Sequence, residues 1–363
     1  MEIRTKDSFI KNIASEKNLY GYSKNNNNFS VIVSKSLIYI LFLKLFLLLY
    51  LFIYLINEQK KQNKGIEQII SLLEKFENKN EKNVENNIYL DKYETDIYNN
   101  IKKKLLDFPC QDMWKNQPEF LNGVVRRFRP KKIVEIGVRT GCSSSIILNA
   151  IKDVNNSHLY SIDLNKRGSI GKCVYKLFPN LLSKWTLYKG DIAAKFMEEI
   201  GKDIDMAFID SAHLEPGEIL DFIIILPFLS EEAIIVMHDI ANQITISSAS
   251  KGWFGKRNEW APYLIFNSIR GKIYLPSGGN PLTHDIGARK LDFNQKQYFH
   301  DYFRVLGGQW QYFPKEKYIK EMYTYFKKYY DIDCLNIFNE SVNFNRRFVK
   351  QNPKENLYKD NTN

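Results

Sequence analysis

The sequence predicts an α/β domain built on a doubly wound, seven-stranded, mostly parallel sheet, and three observations predict it. From Lys132 onward, short and nearly continuous apolar runs alternate with helix-length stretches, the pattern of a parallel sheet covered on both faces. The first run, Ile-Val-Glu-Ile at 133–136, stops abruptly in a turn that contains Gly137 and Gly141. Five consecutive runs carry an acid at or near their ends: Glu135, Asp163, Asp191, Asp210 and Asp239. In an open parallel sheet the carboxyl ends of the strands form the rim over which a ligand lies.

The elements follow in order. Residues 1–35 are polar, include an asparagine run at 25–28, and read as a disordered tail. Residues 36–56, SLIYILFLKLFLLLYLFIYLI, are long enough for one helix across a bilayer, which takes about 20 residues. Lys44 near its centre costs roughly 2.5–3.5 kcal/mol on insertion, and the many Leu, Ile and Phe residues, each favourable by roughly 0.3–0.6 kcal/mol, offset it. The run exceeds the ~7–15 residues of a signal-peptide core and no small-residue cleavage site follows, so it reads as an uncleaved single-pass membrane anchor. A slight lysine excess on its C-terminal side (Lys60, Lys61 and Lys64 against Lys24 and Lys35) favours a cytoplasmic catalytic bulk. Within a stalk and linker at 57–100, Ile66, Ile69, Ile70, Leu73 and Phe76 fall at helical spacing and offer a face for homo-oligomer formation. A further helix carries Leu105, Leu106, Phe120, Leu121, Val124, Val125 and Phe128 and ends at Pro130.

Strands are expected at 132–137, 158–162, 185–189, 204–209 and 233–238, with helices at 143–152, 171–178, 192–200 and 215–227 between them. Two more strands at 272–275 and 285–290 complete a domain spanning 101–295. Residues 296–363 form a helical extension in which Tyr318, Met322, Tyr325 and Tyr329 make a packing stripe.

The net charge of +11 is spread along the chain. Its sharpest cluster, Arg126, Arg127, Arg129, Lys131 and Lys132, is either a solvated helix end or a membrane-surface contact. No strand interleaves aromatic with basic residues in the way of nucleic-acid binders, which argues against nucleic acid as the partner. The four cysteines, Cys110, Cys142, Cys173 and Cys334, are irregularly spaced. They suggest neither a zinc site nor a disulfide framework and fit a reducing compartment.

Glu135-x-Gly137-x-x-x-Gly141 is not the Gly-x-Gly-x-x-Gly of dinucleotide binders, and no P-loop is present. The motif resembles motif I of class I S-adenosylmethionine-dependent methyltransferases. The resemblance implies that S-adenosylmethionine is the cofactor and that Glu135, Gly137, Gly141, Ser143, Asp163 and Asp191 line its site. The amino acid part would lie over the glycine turn and the start of the next helix, beside Ser143 and Ser144. Asp163 would accept the ribose hydroxyls and Asp191 would meet the adenine. The cofactor is made in the cytosol, which agrees with a cytoplasmic domain.

Further on, Phe-Ile-Asp210-Ser-Ala-His213, His238-Asp239, Ala261-Pro-Tyr-Leu-Ile-Phe and Asp285-Ile-Gly-Ala-Arg-Lys-Leu resemble a family that includes sugar O-methyltransferases and cephalosporin-hydroxylase-like proteins. The resemblance covers about 110–292. It implies a small-molecule acceptor, a hydroxyl on a glycan, lipid-linked sugar or related compound. It also implies Mg²⁺ or Mn²⁺ held by Asp210 and Asp239, with His238 or Asn242 as third ligand, and His213 as the catalytic base beside Asp210. Asp221 reads as solvent-facing or as a support behind the site. Trp253, Phe254 and Trp260 form either a lid or local packing. Two other functions fit the sequence: a membrane-tethered scaffold without chemistry, and a metal-dependent hydroxylase using His213, His238 and Asp210.

Overall fold

The computed structural model describes residues 99, 103–104, 113, 116–241, 260–277, 284–292 and 294–351. The anchor expected at 36–56, the apolar face at 66–76, and Asn242, Trp253 and Phe254 lie outside them. Among the described residues no helix is long and apolar enough to cross a membrane.

Seven strands form one sheet: β1 (Lys132–Ile136), β2 (His158–Asp163), β3 (Trp185–Lys189), β4 (Ile204–Ile209), β5 (Leu229–His238), β6 (Gly271–Tyr274) and β7 (Ile286–Leu291). Their order across the sheet is β3-β2-β1-β4-β5-β7-β6. β1 to β5 pair in parallel, and β7 runs antiparallel to both neighbours. The chain therefore reverses its winding between β1 and β4, the switch point at which such sheets open a crevice.

The helices are α1 (Gln117–Phe128), α2 (Cys142–Ala150), α3 (Lys172–Leu177), α4 (Met197–Ile200), α5 (Gly217–Ile225), α6 (Ala261–Ser268), α7 (Phe299–Arg304), α8 (Glu316–Tyr329) and α9 (Ile332–Gln351). Alternation along each strand sends side chains to opposite faces. Ile133, Leu159, Met206, Phe208 and Val236 pack with α1, α2 and α3. Val134, Ile162, Ala207, Ile209 and Ile235 pack with α5, α6 and the C-terminal helices.

The extension shares this second core. Tyr302, Phe303, Phe326 and Phe338 are fully buried. Tyr325 Oη donates to the Ile224 carbonyl at 2.6 Å and Tyr330 Oη to that of Ile223 at 2.5 Å. Met322 and Tyr325 of the predicted stripe are buried in it.

Four expectations differ locally. The helix expected at 192–200 is a 3-10 turn, Ala193–Lys195, and a single α turn, α4, closed by Gly201 at φ +78°. Ala193, Met197 and Ile200 are its buried residues, and Ile192, Ala194 and Phe196 pack partly buried against the core. β5 begins at Leu229 rather than 233, because a register shift between the Ile204–Leu229 and Met206–Ile234 pairs lets polar Ser230, Glu231 and Glu232 sit in the strand. Arg126 does not belong to a surface cluster: it is buried, and its Nη1 donates to the Ala150 carbonyl at the end of α2 at 3.1 Å, where a cation suits the helix dipole. Cys142 is disulfide-bonded, whereas Cys173 and Cys334 are free and buried. Sequence spacing does not report the Cα separation that a disulfide requires.

Candidate active site

The glycine turn after β1 is shaped by its neighbours. Gly137 has φ +90°, and a Cβ there would lie 1.8 Å from the Asp210 carbonyl oxygen. Gly141, at φ +88°, precedes α2, and its Cβ would meet the Gly171 backbone at 2.9 Å. Only glycine allows both the left-handed conformation and the approach of β4 and α3. The loop between them is tied down on all sides: Gly171 N–H donates to the Arg139 carbonyl at 3.0 Å and Cys173 N–H to that of Thr140 at 2.8 Å.

Glu135 lies beneath this turn. It is fully buried and accepts hydroxyl hydrogen bonds from Ser143 (2.6 Å), Ser144 (2.6 Å) and Ser161 (2.5 Å). Trp185 Nε1 donates in turn to Ser161 Oγ at 2.8 Å. Burial pushes the Glu135 carboxyl up to about 7 against the pull of its serine donors. Glu135 and Ser143, expected to line the cofactor site, bond to each other under the loop and lock β1, β2 and α2 together.

Asp163 ends β2 with its carboxylate turned to the same loop. Oδ2 accepts the amides of Val138 (3.1 Å) and Arg139 (2.9 Å), and Oδ1 accepts that of Asn165 (2.8 Å). An ionised carboxylate has about four lone-pair directions, so capacity for ribose hydroxyls remains beside these bonds. Asp191 follows Gly190 at the end of β3, half-buried, with Oδ1 accepting the Ile192 amide at 2.9 Å.

The ends of β4 and β5 converge. His213 Nδ1 stands 3.0 Å from Asp239 Oδ2 and 3.1 Å from Glu218 Oε1, and its Nε2 stands 3.8 Å from Asp210 Oδ1. His238 Nδ1 lies 3.2 Å from Asp239 Oδ2 and 3.7 Å from Asp210 Oδ1. His213 and Asp239 both adopt left-handed backbone, at φ +54° and +58°, a conformation that costs energy and concentrates at functional sites.

The electrostatics follow from this crowding. Burial pushes the His238 imidazole down, but the carboxylates of Asp239 and Asp210 outweigh it and raise it to about 10. Burial likewise opposes charge on His213, and Asp239, Glu218 and Asp210 override it and hold the ring well above its ordinary range. The surrounding carboxylates thus favour the protonated form of both rings relative to a free imidazole.

Nε2 of His238 and Oε2 of Glu218 are buried without a hydrogen-bond partner among the described residues. One ligand atom each from Asp210, His238 and Asp239 lies within 4.8 Å of the others. Carboxylate oxygens with a neutral imidazole nitrogen beside them offer the lone pairs that a divalent cation takes.

Sequence reasoning missed Glu218 and Asp285 as parts of the site. Glu218 is fully buried on the first turn of α5, and its Oε1 also accepts the Ser211 amide at 2.9 Å. Asp285 holds the Ala241 amide at 3.1 Å, and burial together with Asp239 raises its carboxyl to about 6. The five-residue step from His213 to Glu218 was the available signal. Half-buried Asp221 accepts the Ser211 hydroxyl at 2.7 Å and supports the turn from behind. Trp260 is 40% exposed and meets Tyr263 edge-on.

Residues 134–240 match the family described as a methyltransferase domain. The strand order and the glycine turn above agree with that match. No curated protein matches the sequence. Among solved structures, the Bacillus cereus O-methyltransferase in complex with SAH is 15% identical with a TM-score of 0.39, over 55% of this chain and 91% of that one. TomG of Streptomyces achromogenes, an O-methyltransferase involved in tomaymycin synthesis and solved with SAM, is 16% identical with a TM-score of 0.38, over 55% and 90%. SAH-bound PaMTH1 of Podospora anserina is 16% identical with a TM-score of 0.39, over 56% and 88%. Likenesses at this level carry no argument about the site.

Proposed function

We propose that the protein methylates a hydroxyl oxygen of a glycan, lipid-linked sugar or related small molecule, with its catalytic domain in the cytoplasm and the segment 36–56 as membrane anchor. The observation that carries the chemistry is the group of Asp210, His213, Glu218, His238 and Asp239 at the ends of adjacent strands, next to the glycine turn. Methyl transfer from a sulfonium needs an acceptor oxygen aligned for in-line attack and a destination for its proton.

Glu218 holds His213 through Nδ1, which leaves Nε2, beside Asp210, as the atom to take that proton. A divalent cation held by Asp210, Asp239 and His238 would lower the acceptor's pKa and relieve the negative charge that keeps the histidines protonated. Asp163 and the glycine turn bind and orient the adenosyl part. The anchor reading is supported by the length and apolarity of 36–56 and favours acceptors carried at a membrane.

The full chain incubated with methyl-labelled cofactor and extracted glycolipid and polysaccharide fractions should label one of them. Cofactor binding without label in any fraction would overturn the acceptor class. Replacing His213 by alanine should spare cofactor affinity and lower turnover by roughly 10²–10⁴-fold; unchanged turnover removes the histidine from the mechanism. Metal addition should stimulate the rate, and full activity in excess chelator would remove the cation. Two imidazoles beside a carboxylate also match non-haem iron oxygenases, a reading that predicts oxygen consumption instead of methyl transfer.

A further inference from the structure

We propose that His300, Asp331 and Cys334 form a separate binding site for a Zn²⁺-class transition ion, carried by elements that hold none of the rim residues. His300 lies on α7, Asp331 immediately precedes α9, and Cys334 lies in the first turn of α9. His300 Nε2 stands 3.0 Å from Asp331 Oδ2 and 3.1 Å from Oδ1. Asp331 Oδ1 also accepts the Cys334 amide at 2.9 Å, so the carboxylate is held by the helix whose thiol it faces. One ligand atom from each residue lies within 4.8 Å of the other two. In a tetrahedral zinc site with bonds of about 2.0–2.3 Å, ligand atoms stand about 3.3–3.8 Å apart.

Simpler roles account for only part of the arrangement. Capping α9 requires one oxygen of Asp331, and that oxygen is Oδ1. The His300–Asp331 ion pair is exposed, at 42% and 59%, and such pairs contribute little to stability. Cys334 also packs in the second core, and neither the cap nor the ion pair requires a sulfur donor beside them. A nitrogen, an oxygen and a sulfur donor suit Zn²⁺ or Co²⁺, whereas Mg²⁺ and Ca²⁺ take oxygen. Burial and the Asp331 carboxylate push the bare thiol up to about 12. The ion supplies the positive charge that releases this proton to solvent, so the sulfur binds as thiolate, and the first turn of a 20-residue helix favours that anion. Water completes the fourth position. An ion here would tie α7 to α9 across 30 residues of chain and brace the helices that close the second core.

Cobalt is the probe. Titration of the metal-stripped full chain with Co²⁺ should produce a thiolate-to-cobalt charge-transfer band, and Zn²⁺ should displace it. Cys334→Ser should abolish the band, His300→Ala should weaken binding roughly 10-fold or more, and Asp210→Asn should leave it intact. Absence of the band in the parent, or its survival in Cys334→Ser, would overturn the site. Should Cys334→Ser fail to fold, the exposed His300→Ala decides: Co²⁺ affinity equal to the parent's sinks the proposal. This site does not rest on the methyltransfer reading, and loss of either leaves the other standing.

Discussion

Glu135 accepts three hydroxyl hydrogen bonds where no solvent reaches, and this governs how it titrates. Its carboxyl is raised from 4.5 to about 7 in the fold, so the folded state holds the proton more tightly than the unfolded chain. That contribution is fully present below pH 4.5, shrinks between 4.5 and 7, and is lost above. At about 1.4 kcal/mol per unit, the change is on the order of a few kcal/mol. Melts at pH 5 and pH 8 should show the parent losing stability with rising pH, and Glu135→Gln losing less; equal losses would contradict the raised carboxyl. Asp163 is bonded to backbone amides at the rim. Asp163→Ala should raise the dissociation constant for S-adenosylmethionine roughly 10- to 100-fold by calorimetry, the range for hydrogen bonds to a charged group.

At the scale of elements, the glycine turn and the end of β4 are one unit, because Gly137 has no Cβ to hold the Asp210 carbonyl away. Gly137→Ala combines a left-handed alanine with a clash against backbone, and should destabilise by about 3 kcal/mol or more in denaturant titration. It should also weaken cofactor binding, since the displaced strand end carries Asp210. The turn was legible because two glycines closing an apolar run mark a sharp, left-handed chain reversal by local chemistry. The support beneath it was not. Nothing local in Ser143 or Ser161 says that both point at Glu135; the register of β1 with β2, which sets Glu135 beside Ser161, does so. The same holds for Glu218, a helix-start acid by sequence and a buried partner of His213 in the fold.

For the whole molecule, the C-terminal helices complete the second core. Phe326, Phe338, Tyr302 and Phe303 are as buried as the strands, and tyrosines of α8 and the turn after it bond to carbonyls of α5. A chain ending at residue 295 leaves α5 facing water and should be aggregated or molten by near-ultraviolet circular dichroism and gel filtration. A well-folded monomer of that length would show that the extension is an appendage.

The positions of the strands along the chain, the glycine turn and the acids at strand ends are written in the sequence, because apolar periodicity and the loss of a side chain act locally. The partners of those acids, the bulge that admits polar residues to β5, the buried Arg126 and the carboxylates crowded around the two histidines were decided by tertiary structure alone. The physical reason is distance: hydrogen bonding, burial and Coulomb energy depend on separations in space, and sequence separation does not report them.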